Sequence, residues 1–198
     1  PPGDGRGLWL RKPRKSGGGQ RIEFSSDVPP EFAKASGQAD ASSGVSSASP
    51  GTFYYQRYAS GTSCSAIFVA AQGKAIFCGA TRQLIGTPWT GARGFEYAGS
   101  VGPLDVSAHE RTEWEAIGNC LARRFALSGL FGVDAVMTDE RIGVVEVNPR
   151  YTASVEVVEL ACDTALLPLH VRACQDGELP PAGPISPQRR VGKGIIYA

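Results

Sequence analysis

The stretch Val133–Arg150, VDAVMTDERIGVVEVNPR, constrains the fold more than any other part of the chain. Two apolar runs, Gly132–Thr138 and Ile142–Val147, flank the turn-forming TDER, which predicts an antiparallel hairpin. Paired positions in such a hairpin sum to a constant. With the turn centred on residue 140, Asp134 falls opposite Glu146. Period-two alternation brings Asn148 to the same face, and Arg150 continues the row after Pro149. Two carboxylates at about 4.5–5.5 Å between Cβ atoms repel each other. A hard divalent cation between them removes the conflict, and acid and amide oxygens with no soft ligand nearby suit magnesium or manganese. The competing reading is an ordinary buried ion pair of Asp134 or Glu146 with a lysine or arginine. Three oxygen donors on one face, followed by an arginine, favour the metal.

Around this hairpin the pattern alternates between strand and helix periods. Gly7–Pro13 reads as a short strand, followed by the basic glycine-rich loop RKSGGGQ. From about Ser25 to Gly51 serine, alanine and glycine dominate, which predicts a mobile insertion. TFYYQRYA, SCSAIFVAAQ and KAIFCGATRQLIG then read as three strands of an antiparallel meander, with a further short strand at Phe95–Tyr97. Between His109 and Leu127 the period changes, and Trp114, Ile117, Leu121 and Phe125 form one helical stripe closed by the glycines of SGLFG. A second helix starts near Ser154, with Val155, Val158, Cys162 and Leu169 on one face. Glu156 near its start suits the helix dipole, and Pro168 is expected to kink or end it. GELPPAGPISPQRR reads as a linker-like loop before a last strand. These elements predict an α+β chain, two-layer α/β, of antiparallel sheets with flanking helices.

The bulk numbers narrow the partners. A net charge of +1 and a pI near 8.1 leave no electrostatic footprint for nucleic acid or an anionic membrane. No apolar run approaches the roughly 18 residues of a bilayer span. Five cysteines without a C-x-x-C pair read as reduced, packed thiols of a cytoplasmic protein. Only His109 and His170 are present, which disfavours zinc and histidine triads. There is no initiating Met and VGKGIIYA reads as a strand entering a core, so the chain is expected to be part of a longer protein.

Consecutive glycines at 17–19 let backbone N–H groups turn toward phosphate, with Lys12 and Lys15 adding charge. A flexible turn with solvated lysines is the alternative. Taken in order, the motifs resemble the ATP-grasp superfamily. A lysine-bearing strand precedes a glycine-rich loop (RKPRKSGGG), and an adenine-contacting segment precedes a glycine (YYQRYASGTSCS). Then comes an acid on one strand with E-x-N on the next (Asp134 and EVNPR). TRQLIG, FEYAGSVGP and EVNPRYTASVE are similar to biotin-carboxylase-related members read as predicted ATP-dependent carboligases, including a group associated with methanopterin-linked one-carbon metabolism.

The resemblance implies an ATP-grasp fold with a small lid subdomain over 1–85, a large subdomain over 86–180 and the start of a C-terminal segment over 181–198, without the family's N-terminal domain. It implies ATP and Mg2+ (or Mn2+) as cofactors. Lys12, with Lys15 nearby, contacts nucleotide phosphates under a lid of Gly17, Gly18 and Gly19, while Gln56, Arg57 and Ala59 lie along the adenine. Asp134, Glu146 and Asn148 hold the metal, and Arg150 stabilises the transferring phosphoryl group. Arg82 and Gln83 are placed at a strand end to touch substrate or phosphate, with an arginine in water as the alternative. Ser63 stands where many members carry a ribose-binding acid, and YTASVE replaces the Q-V-E-H pattern of biotin carboxylase, so bicarbonate chemistry is not implied. The activity implied is a ligase joining small-molecule carboxylate and nucleophile substrates, with a homodimer as a compatible assembly. A small-molecule kinase and a nucleotide-binding module without catalysis are the alternatives.

Overall fold

A computed structural model describes residues 8–15, 17–25, 53–180 and 187–198 of the chain, and the expected mobile insertion lies outside them from residue 26 onward. The chain divides into two compact units.

The first unit comprises Pro1–Gly61, Ile85–Ala98 and Ile196–Ala198. Its three-stranded sheet has the order β2-β1-β3, with β1 at Trp9–Pro13, β2 at Glu23–Ser25 and β3 at Phe53–Arg57, all antiparallel. The expected meander of three consecutive strands is therefore only partly formed. β3 pairs with β1, setting Lys12 opposite Tyr54 and Leu10 opposite Gln56, and leaves the next two strands to another sheet. The glycine loop is tied down by backbone contacts. Gly18 O accepts from Tyr97 N at 2.9 Å, and Phe24 packs its ring against Tyr58 and Phe95 at 5.1 and 5.4 Å.

The second unit comprises Thr62–Leu84 and Gly99–Ile195. Its sheet has the order β8-β7-β4-β5-β6-β9. In chain order these strands are β4 Thr62–Ala71, β5 Lys74–Ile85, β6 Tyr97–Gly102, β7 Gly129–Met137, β8 Ile142–Asn148 and β9 Val191–Gly194. The last residue of β5 and the first two of β6 are counted with the first unit. β4 sits at the centre, antiparallel to β5 and β7, and nearly its whole length is buried because both faces are covered.

Helix α1, Ala108–Phe125, starts with a capping box in which Ser107 and Glu110 satisfy each other's backbone N–H groups. It lays Trp114, Gly118 and Ala122 on one sheet face, where Phe68 stacks on Phe131 at 5.0 Å and Phe77 on Trp114 at 6.1 Å. Burying aromatic rings of this size contributes about 1.5–3 kcal/mol each. Two details differ from the sequence reading. Phe125 leaves the stripe and is 63% exposed, and Ala126, not a glycine, takes the left-handed cap position (φ 50°).

The opposite face packs against α2, Ala153–Cys162, and α3, Leu167–Gln175, through Val155, Val158, Ala161 and Ala173. One helix was expected here. The chain breaks at Asp163, in the left-handed cap, and Pro168 opens α3 instead of ending a helix, because its missing N–H costs nothing in a first turn. Glu156 lies in the first turn of α2 and pairs with Lys193 of β9. No helix among the described residues is long and apolar enough to cross a membrane.

Candidate metal and nucleotide site

The β7–β8 hairpin forms, and Asp134 lies opposite Glu146 as the spacing predicts. The path to that register differs from a uniform one. Thr138 N donates to Arg141 O at 3.0 Å and Met137 pairs with Ile142, so the turn is centred between residues 139 and 140. The register then shifts between Asp134 and Ala135, whose partners are Glu146 and Val144, leaving Val145 as a bulged extra residue. The bulge decides which side chains face where. Strict alternation places Ile142 and Glu146 on one side. With the bulge, Ile142 and Val147 join the core under α1, while Glu146 and Asn148 turn to the face that carries Asp134. Ile142 N, donating to Glu113 Oε1 of α1 at 2.8 Å, holds the start of β8.

The four side chains of the motif meet. Asn148 Nδ2 donates to Asp134 Oδ2 at 3.3 Å, and Arg150 donates through Nη2 to Asn148 Oδ1 at 3.2 Å. The arginine reaches back because Arg150 N–H closes a tight turn on Asn148 O at 2.8 Å, with Pro149 at its centre. Gln83 Nε2 of β5 donates to the other Asp134 oxygen at 3.0 Å. Among the described residues neither Asp134 nor Glu146 forms an ion pair with a lysine or arginine. Burial pushes the Asp134 carboxyl above the usual carboxylate range. The charge of Glu146 opposite adds to this, while Ser65, Arg150 and Gln83 pull the other way. A half-buried carboxylate facing a second carboxylate, with an amide that turns its Nδ2 to Asp134 and its Oδ1 to Arg150, supplies oxygens of the kind a hard divalent cation takes. Among the described residues no three His, Cys, Asp or Glu gather into a group that could hold a metal ion.

In the first unit, Lys12 is buried at 8% exposure, and its Nζ donates to Gln56 Oε1 at 2.9 Å and lies 5.8 Å from the centre of the Tyr54 ring. Lys12 and Gln56, named separately from the sequence, are thus in contact. Lys15, Gly17, Gly18, Arg57 and Ala59 are exposed. Gly19 is different: a Cβ there would stand 1.8 Å from Phe95 O, so the loop touches backbone at that residue.

In the second unit, Ser63 is half-buried opposite Val136, and Arg82 is exposed beside Cys64. Two residues carry roles that sequence reading did not assign. Gln83, expected near substrate, holds Asp134, and Thr152, the N-cap of α2, buries its hydroxyl against Gly132 without a hydrogen-bond partner among the described residues. Neither has a local signal, since each depends on strand order.

Residues 6–154 match the ATP-grasp domain family, three quarters of the chain, so the chain belongs to the ATP-grasp family. Among solved structures, an ATP-grasp superfamily protein from Archaeoglobus fulgidus is similar at 22% identity and TM-score 0.57, over 92% of this chain and 46% of that one. N5-carboxyaminoimidazole ribonucleotide synthetase from Thermus thermophilus follows at 16% identity and TM-score 0.63, over 92% and 45%. The biotin carboxylase domain of Hydrogenobacter thermophilus 2-oxoglutarate carboxylase, in complex with ADP, its magnesium salt and bicarbonate, has 15% identity and TM-score 0.62, over 89% and 38%. The chain therefore spans under half the length of these structures, and at such identities the likeness is one of fold. No curated protein matches the chain.

Proposed function

We propose that this chain carries the nucleotide- and metal-binding machinery of an ATP- and magnesium-dependent ligase, which joins a carboxylate to an amine or similar nucleophile through an acyl phosphate. The observation that carries the reading is the opposed pair Asp134–Glu146, bridged to Arg150 through Asn148, in a member of the ATP-grasp family. Solved relatives of the same fold include a carboxylase domain that holds MgADP.

In this reading Asp134, Glu146 and Asn148 hold Mg2+ or Mn2+, which when bound neutralises phosphate charge. The residues of the chain do the rest. Lys12 offers its ammonium group to the nucleotide phosphates, and the Gln56 carbonyl fixes where that group points. Gly17, Gly18 and Gly19, with Lys15 beside them, cover the phosphates with backbone N–H groups. Arg57 and Ala59 lie along the adenine, and Ser63 stands near the ribose. Arg150 clamps the γ-phosphoryl oxygens, and Arg82 meets the carboxylate. A carboxylate oxygen then attacks the γ-phosphorus and the bond to the β,γ-bridging oxygen breaks, releasing ADP. The amine nitrogen attacks the acyl carbon of the resulting acyl phosphate, inorganic phosphate leaves, and the amine proton is lost to solvent.

ADP release measured with ATP, magnesium and panels of acids and amines tests this. A ligase gives full ADP release only when both substrates are present, and Arg150→Ala reduces the rate by about 100-fold or more, the scale of a lost transition-state charge contact. A phosphorylated product that accumulates without a second substrate makes it a kinase. Tight nucleotide binding with no turnover in any mixture makes it a binding module.

A further inference from the structure

The geometry points to Gln83 as the positioning residue of the metal-binding carboxylate, a role that rests on the metal reading of Asp134 but adds a residue two strands away. Across the central sheet one register row runs from Thr81 on β5 through Ser65 on β4 and Asp134 on β7 to Glu146 on β8. Gln83 is two residues beyond Thr81 and shares its face. From there to β7 is two strand spacings, about 9.5 Å. The side chain crosses because, at this end of the intervening strand, the residues on that face are the serines Ser63 and Ser65, before Ile67 and Val69, and a larger residue at either serine would stand in its way.

At the end of that reach, Gln83 Nε2 donates to Asp134 Oδ1 at 3.0 Å while Asn148 Nδ2 donates to Oδ2 at 3.3 Å. The carboxylate is gripped on both oxygens by amides from β5 and β8, and each oxygen keeps a lone pair free for a cation. The chain of donors has one direction: Arg150 donates to Asn148 Oδ1, Asn148 to Asp134, and Gln83 closes it from the far side. Without Gln83 the Asp134 carboxylate loses the amide on Oδ1, and Asn148 on Oδ2 and the neighbouring Ser65 are what remain to keep it facing Glu146. Partners of this kind, which orient a ligand without touching the metal, typically carry 10- to 100-fold in metal affinity.

The test titrates the full chain with Mn2+ alone, without nucleotide, following free Mn2+ by electron paramagnetic resonance. Gln83→Met, unbranched and of similar length but unable to donate, is expected to weaken Mn2+ binding at least 10-fold, with unchanged thermal unfolding and unchanged ADP affinity in EDTA. Asp134→Asn is expected to abolish the Mn2+ site. Should Gln83→Met fail to fold, Gln83→Asn keeps the amide but withdraws it by one methylene, with the same expected loss. If Asp134→Asn abolishes Mn2+ binding while Gln83→Met leaves it intact, the role of Gln83 is overturned and the metal site stands. If the parent chain shows no saturable Mn2+ binding, or Asp134→Asn binds as the parent does, both are overturned.

Discussion

Gly19 shows what a single residue contributes to the glycine loop. Its φ of +77° is one that side chains rarely adopt, and a Cβ would meet Phe95 O at 1.8 Å. Gly17 has neither constraint, with open space where its Cβ would be. Gly19→Ala is therefore expected to lose about 1–3 kcal/mol from backbone strain alone. Gly17→Ala should stay within about 0.5 kcal/mol of the parent. Urea unfolding of the two variants, side by side, checks the difference; equal stabilities would mean that Gly19 is not held against Phe95. The three consecutive glycines are equivalent in sequence. What separates them is a backbone segment more than seventy positions downstream, which no local pattern announces.

Periodicity carried the elements a long way, and its failures have identifiable causes. A turn centred on residue 140 predicts the Asp134–Glu146 pairing, but the turn that forms lies half a residue earlier and by itself would set Asp134 against Val145; the bulge at Val145 restores the pairing, and one unpaired residue in an apolar run gives no signal of it. In the second half, Val155, Val158, Cys162 and Leu169 read as one stripe because α2 and α3 pack on the same sheet face, and the left-handed cap at Asp163 interrupts the helix without interrupting the pattern. Gly118 of α1 sits where a Cβ would come within 2.5 Å of the Phe68 ring, so the absence of a side chain lets the helix approach the sheet closely there. Gly118→Ala should raise intrinsic helix propensity by about 1 kcal/mol. Overpacking against Phe68 is expected to cost about 1–3 kcal/mol. A net loss in thermal stability is the expected outcome, and a more stable variant would show that α1 does not seat that deeply.

For the whole molecule, burial sorts the five cysteines into two sets. Cys64, Cys78 and Cys162 are buried, while Cys120 and Cys174 are exposed. Burial pushes Cys64 and Cys78 up to about 12 and raises Cys162 as well, so none of the three offers a thiolate at neutral pH. A disulfide reagent at pH 8 should accordingly modify two thiols rapidly and the remaining three only after unfolding in denaturant. Rapid reaction of all five under native conditions would mean that the core is not closed around β4.

Some of this architecture was already determined by the order of the residues. The α+β character, the hairpin and the two acids with their amide and arginine follow from spacings within a few residues, where the period of the backbone dictates which side chains share a face. The partner of β3, the glycine that must be a glycine, and the reach of Gln83 across β4 to Asp134 were decided only by tertiary structure. Each depends on which distant segments lie side by side, and that is set by the packing of the entire sheet and its covering helices, a sum over contacts that no window of sequence contains.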